Sequence, residues 1–211
     1  MIKPSLGLDY APSGLWDGLL GGPVPDTGDP QLARRLIRHS GEPVISLRYD
    51  YPQSSTEDKA AAALIASLAE AGITVIPNPI PADEFGAIAF DPETEGDLVV
   101  AQWGPDWANA STIIPELFAS SGGFNLSHAS DPTFDAEVAT AMRLTDRVAQ
   151  ANQWQRLNRE AMAHAWVVPT RFSREQRLAG SRVRSASGRD GRVYVWAPWG
   201  AWPYADLYVT S

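Results

Sequence analysis

Cysteine is absent from this chain of 211 residues, and histidine is scarce. The lack of cysteine excludes disulfides, thiolate metal sites and a cysteine nucleophile. The three histidines, His39, His128 and His164, lie in separate segments, and none has the spacing of a metal-binding motif. We therefore expect neither a metal site nor a cofactor.

Positive charge is also in short supply, with 17 Lys and Arg against 25 Asp and Glu and a formal net charge of −8. Nucleic-acid-binding surfaces need clustered Lys and Arg to displace counterions, so nucleic acid is not an expected partner. The first residues lack the apolar core of a signal peptide, and no window reaches the length of a membrane-spanning helix. As given, the chain is expected to be soluble, without a targeting signal.

What is present is an ordinary globular composition, 44% apolar and 20% charged, in a chain long enough for one well-filled domain or two small ones. Gly and Pro crowd the first forty residues, which is typical of a connecting arm. Asp29 and Pro30 then provide the N-cap and first position of a short helix that Gly41 closes. We assign residues 1–42 to this arm and helix.

A βαβ unit follows the arm. Residues 43–49 alternate as a strand does, and Ile73 begins a second strand. Between them, Ser54 or Ser55 caps an amphipathic helix that ends at Gly72. A right-handed crossover makes the two strands parallel, so the predicted fold class is α/β.

A third strand is predicted over Asp97–Trp103, leading directly into Gly104, Pro105 and Asp106. Ligands of open parallel sheets collect at the carboxyl ends of strands. This junction is therefore a candidate binding site by position alone.

Two helices are predicted next, with a break near Asn152 that makes them antiparallel neighbours. Val167–Phe172 is a predicted strand, and the rest of the chain consists of short extended pieces. We assign residues 43–173 to one α/β lobe and 174–211 to an extended tail. The expected buried positions of the first helix are Phe134, Val138, Ala141, Met142, Thr145 and Val148, and those of the second are Trp154, Leu157, Ala161 and Ala165.

Several ordered motifs resemble the family 5 solute-binding proteins of ABC importers, which include the dipeptide and oligopeptide binders. They extend over roughly residues 29 to 210. The motifs are Asp29-Pro30-x-x-Ala33-x-x-Leu36-Ile37, Gly72-Ile73-x-Val75, Asp97-Leu98-Val99-x-x-x-Trp103-x-x-Asp106-Trp107, Asn125-Leu126-Ser127, Asp131-Pro132-x-Phe134-Asp135, Trp166-Val167-Val168-Pro169, Gly180-Ser181-x-Val183 and Asp206-Leu207.

The resemblance implies a fragment, because family members are more than twice this length and close two lobes on a ligand. This chain resembles the C-terminal lobe of that type II fold, a mixed sheet flanked by helices, and residues 174–211 resemble the tail that returns to the missing N-terminal lobe. The implied role is extracytoplasmic capture of a peptide or related solute and delivery to a permease, without enzymatic activity. The full-length protein would be periplasmic or a cell-surface lipoprotein.

Within the resemblance, Asp106 corresponds to the acidic residue that receives a ligand's α-ammonium group, and Trp103 and Trp107 would line the pocket. Structural roles are the alternative, with Trp103 in the core and Asp106 capping a turn. The chain departs from the family pattern in the loop around Asn109. It also lacks an arginine before Trp103 that would hold a peptide carboxylate, and Gln102 offers amide hydrogen bonds to a sugar or amide ligand instead.

Two other classes remain as alternatives. A carbohydrate-acting enzyme would pair Asp97 with Asp106, although strand geometry separates them by roughly 25 to 30 Å. The tail tryptophans could instead form a carbohydrate-binding platform, or a patch through which a free-standing interaction domain self-associates. These tryptophans are Trp196, Trp199 and Trp202.

Overall fold

The computed structural model describes residues 29–41, 44–104, 106, 109–168, 178–188, 193 and 204–210. The chain divides into two compact units, the first made of residues 1–102 with 169–172 and the second of 103–168 with 173–211. The predicted divisions after residues 42 and 173 stay predictions.

The first unit begins with helix α1, Pro30–Ser40. The Asp29 carboxylate accepts a hydrogen bond from the backbone N–H of Leu32 at 2.8 Å, as expected of an N-cap. Gly41 ends the helix with φ of 81°, a left-handed conformation that glycine adopts without a steric penalty. The helix predicted from Asp29, Pro30 and Gly41 is confirmed.

The predicted βαβ unit is also confirmed. Strand β1 (Ile45–Pro52) pairs in parallel with β2 (Ile73–Ile80), and helix α2 (Ser55–Glu70) connects them. Ser54 is the N-cap of α2, because its hydroxyl accepts from the backbone N–H of Glu57 at 3.1 Å. The helix covers one face of the strands, where Tyr49, Tyr51, Ala61 and Val75 form a buried cluster.

Strand β2 extends to Ile80 and contains two prolines, Pro77 and Pro79. Both pair with β1, opposite Tyr49 and Tyr51. The strand order β2-β1-β3 leaves β2 at the edge of the sheet among the described strands. An edge position tolerates prolines, since one side of the strand needs no ladder donors.

Strand β3 is much shorter than the predicted Asp97–Trp103, because only Leu98–Val99 pair with β1. Val100 donates one more backbone bond to the carbonyl of Asp50, at 2.9 Å. The next donor of this parallel ladder would be the nitrogen of residue 52, which is proline and has no N–H. The ladder therefore stops here. A short helix, α3 (Phe85–Ala89), lies between β2 and β3 along the chain.

Arg48, which is paired with a buried carboxylate, connects the segment before β3 to the sheet. Asp50 is fully buried and accepts from Nε and Nη2 of Arg48, at 3.0 and 3.2 Å, and from Nδ2 of Asn78 at 2.9 Å. Arg48 also donates through Nη2 to the carbonyl of Thr94, and its backbone N–H donates to Oδ2 of Asp97 at 2.7 Å. We call Arg48, Asp50 and Asn78 the β1 ion-pair cluster.

The second unit is built on helices α4 (Ile114–Phe118), α5 (Pro132–Arg143) and α6 (Arg147–Ala163). Asp131 caps α5 by accepting from the backbone N–H groups of Thr133 and Phe134, as predicted. Trp166, which follows α6, packs against the core. The buried core consists of Ile114, Phe118, Phe134, Val138, Ala141, Trp154, Leu157 and Ala161.

The predicted helix break near Asn152 is wrong, since Asn152 lies inside α6. The break is at residues 144–146, where the Asp146 carboxylate accepts from the backbone N–H of Ala149 at 2.7 Å and starts a new helix. This restart changes the helical phase, so Val148 is 69% exposed instead of buried. Met142 is also predicted to be buried, but it is 52% exposed near the end of α5, whose buried face consists of Phe134, Val138 and Ala141. Likewise, Thr145 is exposed, and Ala165 lies beyond α6 with φ of 57°.

An antiparallel pair of strands, β4 (Val183–Ser185) and β5 (Leu207–Val209), belongs to the same unit. The Asp206 carboxylate accepts from the hydroxyl of Ser185 and, at 2.9 Å, from the backbone N–H of Ser187. These hydrogen bonds lower the pKa of Asp206, and the Ser185 hydroxyl contributes most. Parallel and antiparallel pairing together with flanking helices confirm the α/β class.

Candidate ligand-binding site

Trp103 is held at the start of the second unit by contacts at both ends of its side chain. Its indole Nε1–H donates to the carbonyl oxygen of Thr112 at 3.0 Å. Its ring lies 4.6 Å from the ring of Phe124, centroid to centroid, with 58° between their planes. The side chain is half-buried, so part of its surface stays accessible to a ligand.

Asp106 lies beside the same threonine but is exposed. The Thr112 hydroxyl donates to Oδ2 of Asp106 at 2.7 Å and accepts from the Asp106 backbone N–H at 3.1 Å. A hydroxyl has one proton and two lone pairs, so both bonds form at once. Among the described residues, Oδ1 has no hydrogen-bond partner. The exposed carboxylate is thus engaged through Oδ2 within the part of the chain that the structure describes.

Thr112 itself is almost fully buried, at 1% exposure, and a short 3-10 helix, Ala110–Thr112, fixes its position. Asn109 caps this helix by accepting from the backbone N–H of Ser111 at 2.9 Å. The Asn109 amide also donates to Oε1 of Gln150 at 2.9 Å. The departure from the family pattern at Asn109 is therefore a helix cap.

Gln150 connects this loop to the junction between α5 and α6. Its side chain is buried, and Nε2 donates to the carbonyl oxygens of Ala141 and Leu144 at 3.1 and 3.2 Å. The loop that carries Trp103 and Asp106 is thereby connected by hydrogen bonds to the helical core of its unit.

The electrostatic character of the segment is simple. Residues 103–112 contain one ionisable side chain, the carboxylate of Asp106, and no Lys, Arg or His. A cationic group of a ligand would therefore be favoured here over an anionic one. A peptide carboxylate would need a partner outside this segment.

The structure shows no contact of the two remaining predicted site residues with Trp103 or Asp106 among the residues that it describes. Gln102 is exposed at the end of the first unit, and its side chain has no hydrogen-bond partner among the described residues. Trp107 lies outside the described residues. Ligand contacts of Trp103, Asp106, Trp107 and Gln102 stay predictions.

The alternative functions depend on Asp97 and on the tail tryptophans. Asp97 makes a structural contact, and the tryptophans are not among the described residues. Asp97 binds the backbone of Arg48 in the first unit, which is a structural role. Trp196, Trp199 and Trp202 are outside the described residues, as is most of the predicted strand Val167–Phe172. No three His, Asp or Glu side chains are grouped to hold a metal ion within the described parts of the chain. The same parts contain no helix that is both long and apolar enough to span a bilayer.

Sequence reasoning missed Thr112, Phe124 and Gln150, each of which shapes the site. A local signal existed for Asn109 alone, because asparagine before a short helical segment is a preferred cap. Thr112 and Gln150 act through contacts with residues that are not their sequence neighbours, and no sequence motif predicts such contacts.

Comparison with solved structures finds relatives over most of the chain. An oligopeptide-binding protein of clavulanic acid biosynthesis is 25% identical over 89% of this chain, with a TM-score of 0.75. The periplasmic binding protein DppA from Helicobacter pylori, solved with the peptide STSA, is 21% identical over 67%, with a TM-score of 0.61. HbpA2 from Haemophilus parasuis is 14% identical over 87%, with a TM-score of 0.68.

This chain spans about a third of those structures, covering 35%, 28% and 36% of their lengths. No protein-family model matches the chain. No curated protein matches it either. The structural likenesses confirm the expected fold, which is that of part of a family 5 solute-binding protein.

Proposed function

We propose that this chain belongs to the substrate-binding component of an ABC importer and that Asp106 receives the α-ammonium group of a peptide. The observation that carries the proposal is the exposed Asp106 carboxylate, which Thr112 engages through Oδ2 and whose Oδ1 has no partner among the described residues. The fold shared with peptide-binding proteins supports the same role. A binding protein of this kind has no reaction to catalyse.

The chemistry of the segment favours an ammonium ligand. A carboxylate forms short, charge-assisted hydrogen bonds with ammonium groups, and these strengthen when a cleft closes and excludes water. Trp103 adds a rigid aromatic surface beside the carboxylate, which suits varied peptide side chains. Gln102 and Trp107 complete the proposed set of ligand contacts.

We propose further that a second, N-terminal lobe completes the pocket and holds the ligand's carboxylate, since residues 103–112 contain no cation. Residues 174–211 would return to that lobe. The complete protein would work outside the cytoplasm, anchored by a lipid or free in the periplasm, and deliver its ligand to a permease. Ligand binding would favour the closed form of the two lobes.

Calorimetry on the complete protein tests the ammonium site, with the tetrapeptide Ser-Thr-Ser-Ala as the probe. Asp106→Asn should weaken binding about tenfold to a hundredfold, because a hydrogen bond to a charged group is lost. The N-acetylated tetrapeptide is the matched control, since it has no ammonium group and should bind parent and variant equally weakly. An Asp106→Asn protein that binds the free peptide as tightly as the parent would remove the assignment, and tight binding of a neutral oligosaccharide would favour the carbohydrate alternative.

The two-lobe proposal has its own test. This chain alone should bind the tetrapeptide with a dissociation constant well above about 1 μM, because half of the pocket is missing. A micromolar or tighter complex with the chain alone would contradict the proposal. Light scattering on the same sample measures self-association, which the tail tryptophans would drive if no lobe covers them.

A further inference from the structure

We infer that Thr112 is a positioning residue of the ligand-binding site, which presents the Asp106 carboxylate in one orientation and keeps its Oδ1 oxygen available. The inference rests on the proposed function and deepens it. Thr112 contacts both Trp103 and Asp106, although it lies six or more positions away from them along the chain.

The two contacts use different parts of the threonine. Its hydroxyl closes a ring with Asp106 by donating to Oδ2 at 2.7 Å and accepting from the backbone N–H at 3.1 Å. Its backbone carbonyl accepts from the indole of Trp103 at 3.0 Å. Removing the hydroxyl therefore releases Asp106 while leaving the acceptor for Trp103 in place.

The hydroxyl has a fixed position because the residue is buried and anchored. At 1% exposure, Thr112 leaves no room for water to replace its hydroxyl. A threonine also has a restricted χ1 angle, so its oxygen stays directed at the turn. The Asn109 cap and its bond to Gln150 hold the backbone of the same segment.

Positioning matters because an exposed aspartate otherwise rotates among several rotamers. A ligand that binds such a side chain must immobilise it, and this ordering reduces affinity. With Oδ2 already engaged, Asp106 is ordered before the ligand arrives. Thr112 thus contributes to affinity without touching the ligand.

Two substitutions separate this role from simple packing. Thr112→Val keeps the shape and removes the hydroxyl, whereas Thr112→Ser keeps the hydroxyl and removes a methyl group. In hydrogen exchange on this chain, the Asp106 amide should exchange about tenfold faster in the valine variant and within about threefold of the parent in the serine variant. The Trp103 indole resonance should persist in both variants and serves as the control for folding.

Affinity for Ser-Thr-Ser-Ala, measured on the complete protein, gives the second readout. Thr112→Val should weaken binding about tenfold, and Thr112→Ser less than about threefold. In an Asp106→Asn background the valine substitution should have less than about a twofold effect, because the two residues act as one unit. Equal affinity and equal exchange in the valine and serine variants would overturn the positioning role. If Asp106→Asn left the affinity for the tetrapeptide unchanged, the proposed function would be overturned instead. Hydrogen exchange of the Asp106 amide would still test the role of Thr112.

Discussion

The two units each contain a carboxylate in a defined hydrogen-bond network, and the two networks are built differently. In the β1 ion-pair cluster, Asp50 is fully buried and its two oxygens accept three hydrogen bonds, two from Arg48 and one from Asn78. In the second unit, Asp106 is exposed, and Thr112 occupies only one of its oxygens. The first carboxylate stabilises the fold, whereas the second is the one that we propose to bind a ligand.

The comparison shows why hydrogen-bond satisfaction is more informative than charge alone. A buried carboxylate must have its partners within the protein, because an unpaired buried charge is very costly. An exposed carboxylate has no such requirement, so partial engagement orients it without consuming it. Substitutions in the first network should therefore change stability, and those in the second should change binding.

The largest effect is expected from Arg48→Met in the β1 ion-pair cluster. The substitution leaves the buried Asp50 carboxylate with Asn78 alone, and breaking such a pair costs about 3 to 5 kcal/mol of unfolding free energy. Urea unfolding of this chain measures the loss. Arg156→Met is the matched control. Arg156 and Arg48 are about equally exposed, at 43% and 42%, but Glu137 and Glu160 are 30% and 28% exposed whereas Asp50 is fully buried. Pairs whose partners are both accessible to solvent contribute less than about 1 kcal/mol. Equal effects of the two substitutions would contradict the distinction between the networks.

A smaller loss is expected from Gly96→Ala, which tests how closely the same cluster is packed. A Cβ atom at residue 96 would lie 2.8 Å from Cγ of Asp50 and 3.0 Å from the carbonyl oxygen of Arg48. Overpacking of this kind costs about 1 to 3 kcal/mol. Gly86→Ala is the control, since nothing lies within 4 Å of the added atom and alanine favours the helix, so its stability should rise slightly. A Gly96→Ala variant as stable as the parent would mean that Asp50 can move away from the added methyl group without loss of stability.

A still smaller effect on stability is expected from Asp106→Asn. The side chain is exposed, and an asparagine oxygen can accept the same bond from Thr112, so the unfolding free energy should change by less than about 0.5 kcal/mol. Urea unfolding of the variant, set beside its tetrapeptide affinity, measures both consequences. A loss as large as that of Arg48→Met would place Asp106 with the structural carboxylates and would end the contrast between the two units.

The fold could be predicted from the sequence wherever local signals agreed. Asp29, Ser54 and Asp131 all cap helices as expected, because capping depends on residues within one turn. The end of β3 could not be predicted, since it depends on Pro52 in a neighbouring strand. The restart of α6 at Asp146 has a local capping signal that the apolar periodicity obscured. Trp103 and Asp106 could be named as candidates, but their common anchor, Thr112, depends on a contact that only folding creates.

Asp206 is intermediate in burial between the two carboxylates, and its contribution to stability is expected to depend on pH. It is half-buried, and its hydrogen bonds from Ser185 and Ser187 lower its pKa below the ordinary 3.8. A carboxyl group whose pKa is lower in the folded state stabilises the fold above its unfolded pKa, and this contribution is lost as the pH falls through the folded value. Asp206→Asn should therefore lower the urea midpoint at pH 7, and the difference from the parent should shrink below pH 3.8.

The matched variant is Ser185→Ala, which removes the donor that contributes most to the low pKa of Asp206. It should lose part of the same pH-dependent stability while keeping the carboxylate. A difference between Asp206→Asn and the parent that stays constant from pH 7 to strong acid would show that the β4 and β5 pairing does not depend on the charge of Asp206. The charge of Asp206, like that of Asp106, would then make no contribution to stability, and a structural role for a carboxylate charge would be limited to the fully buried Asp50.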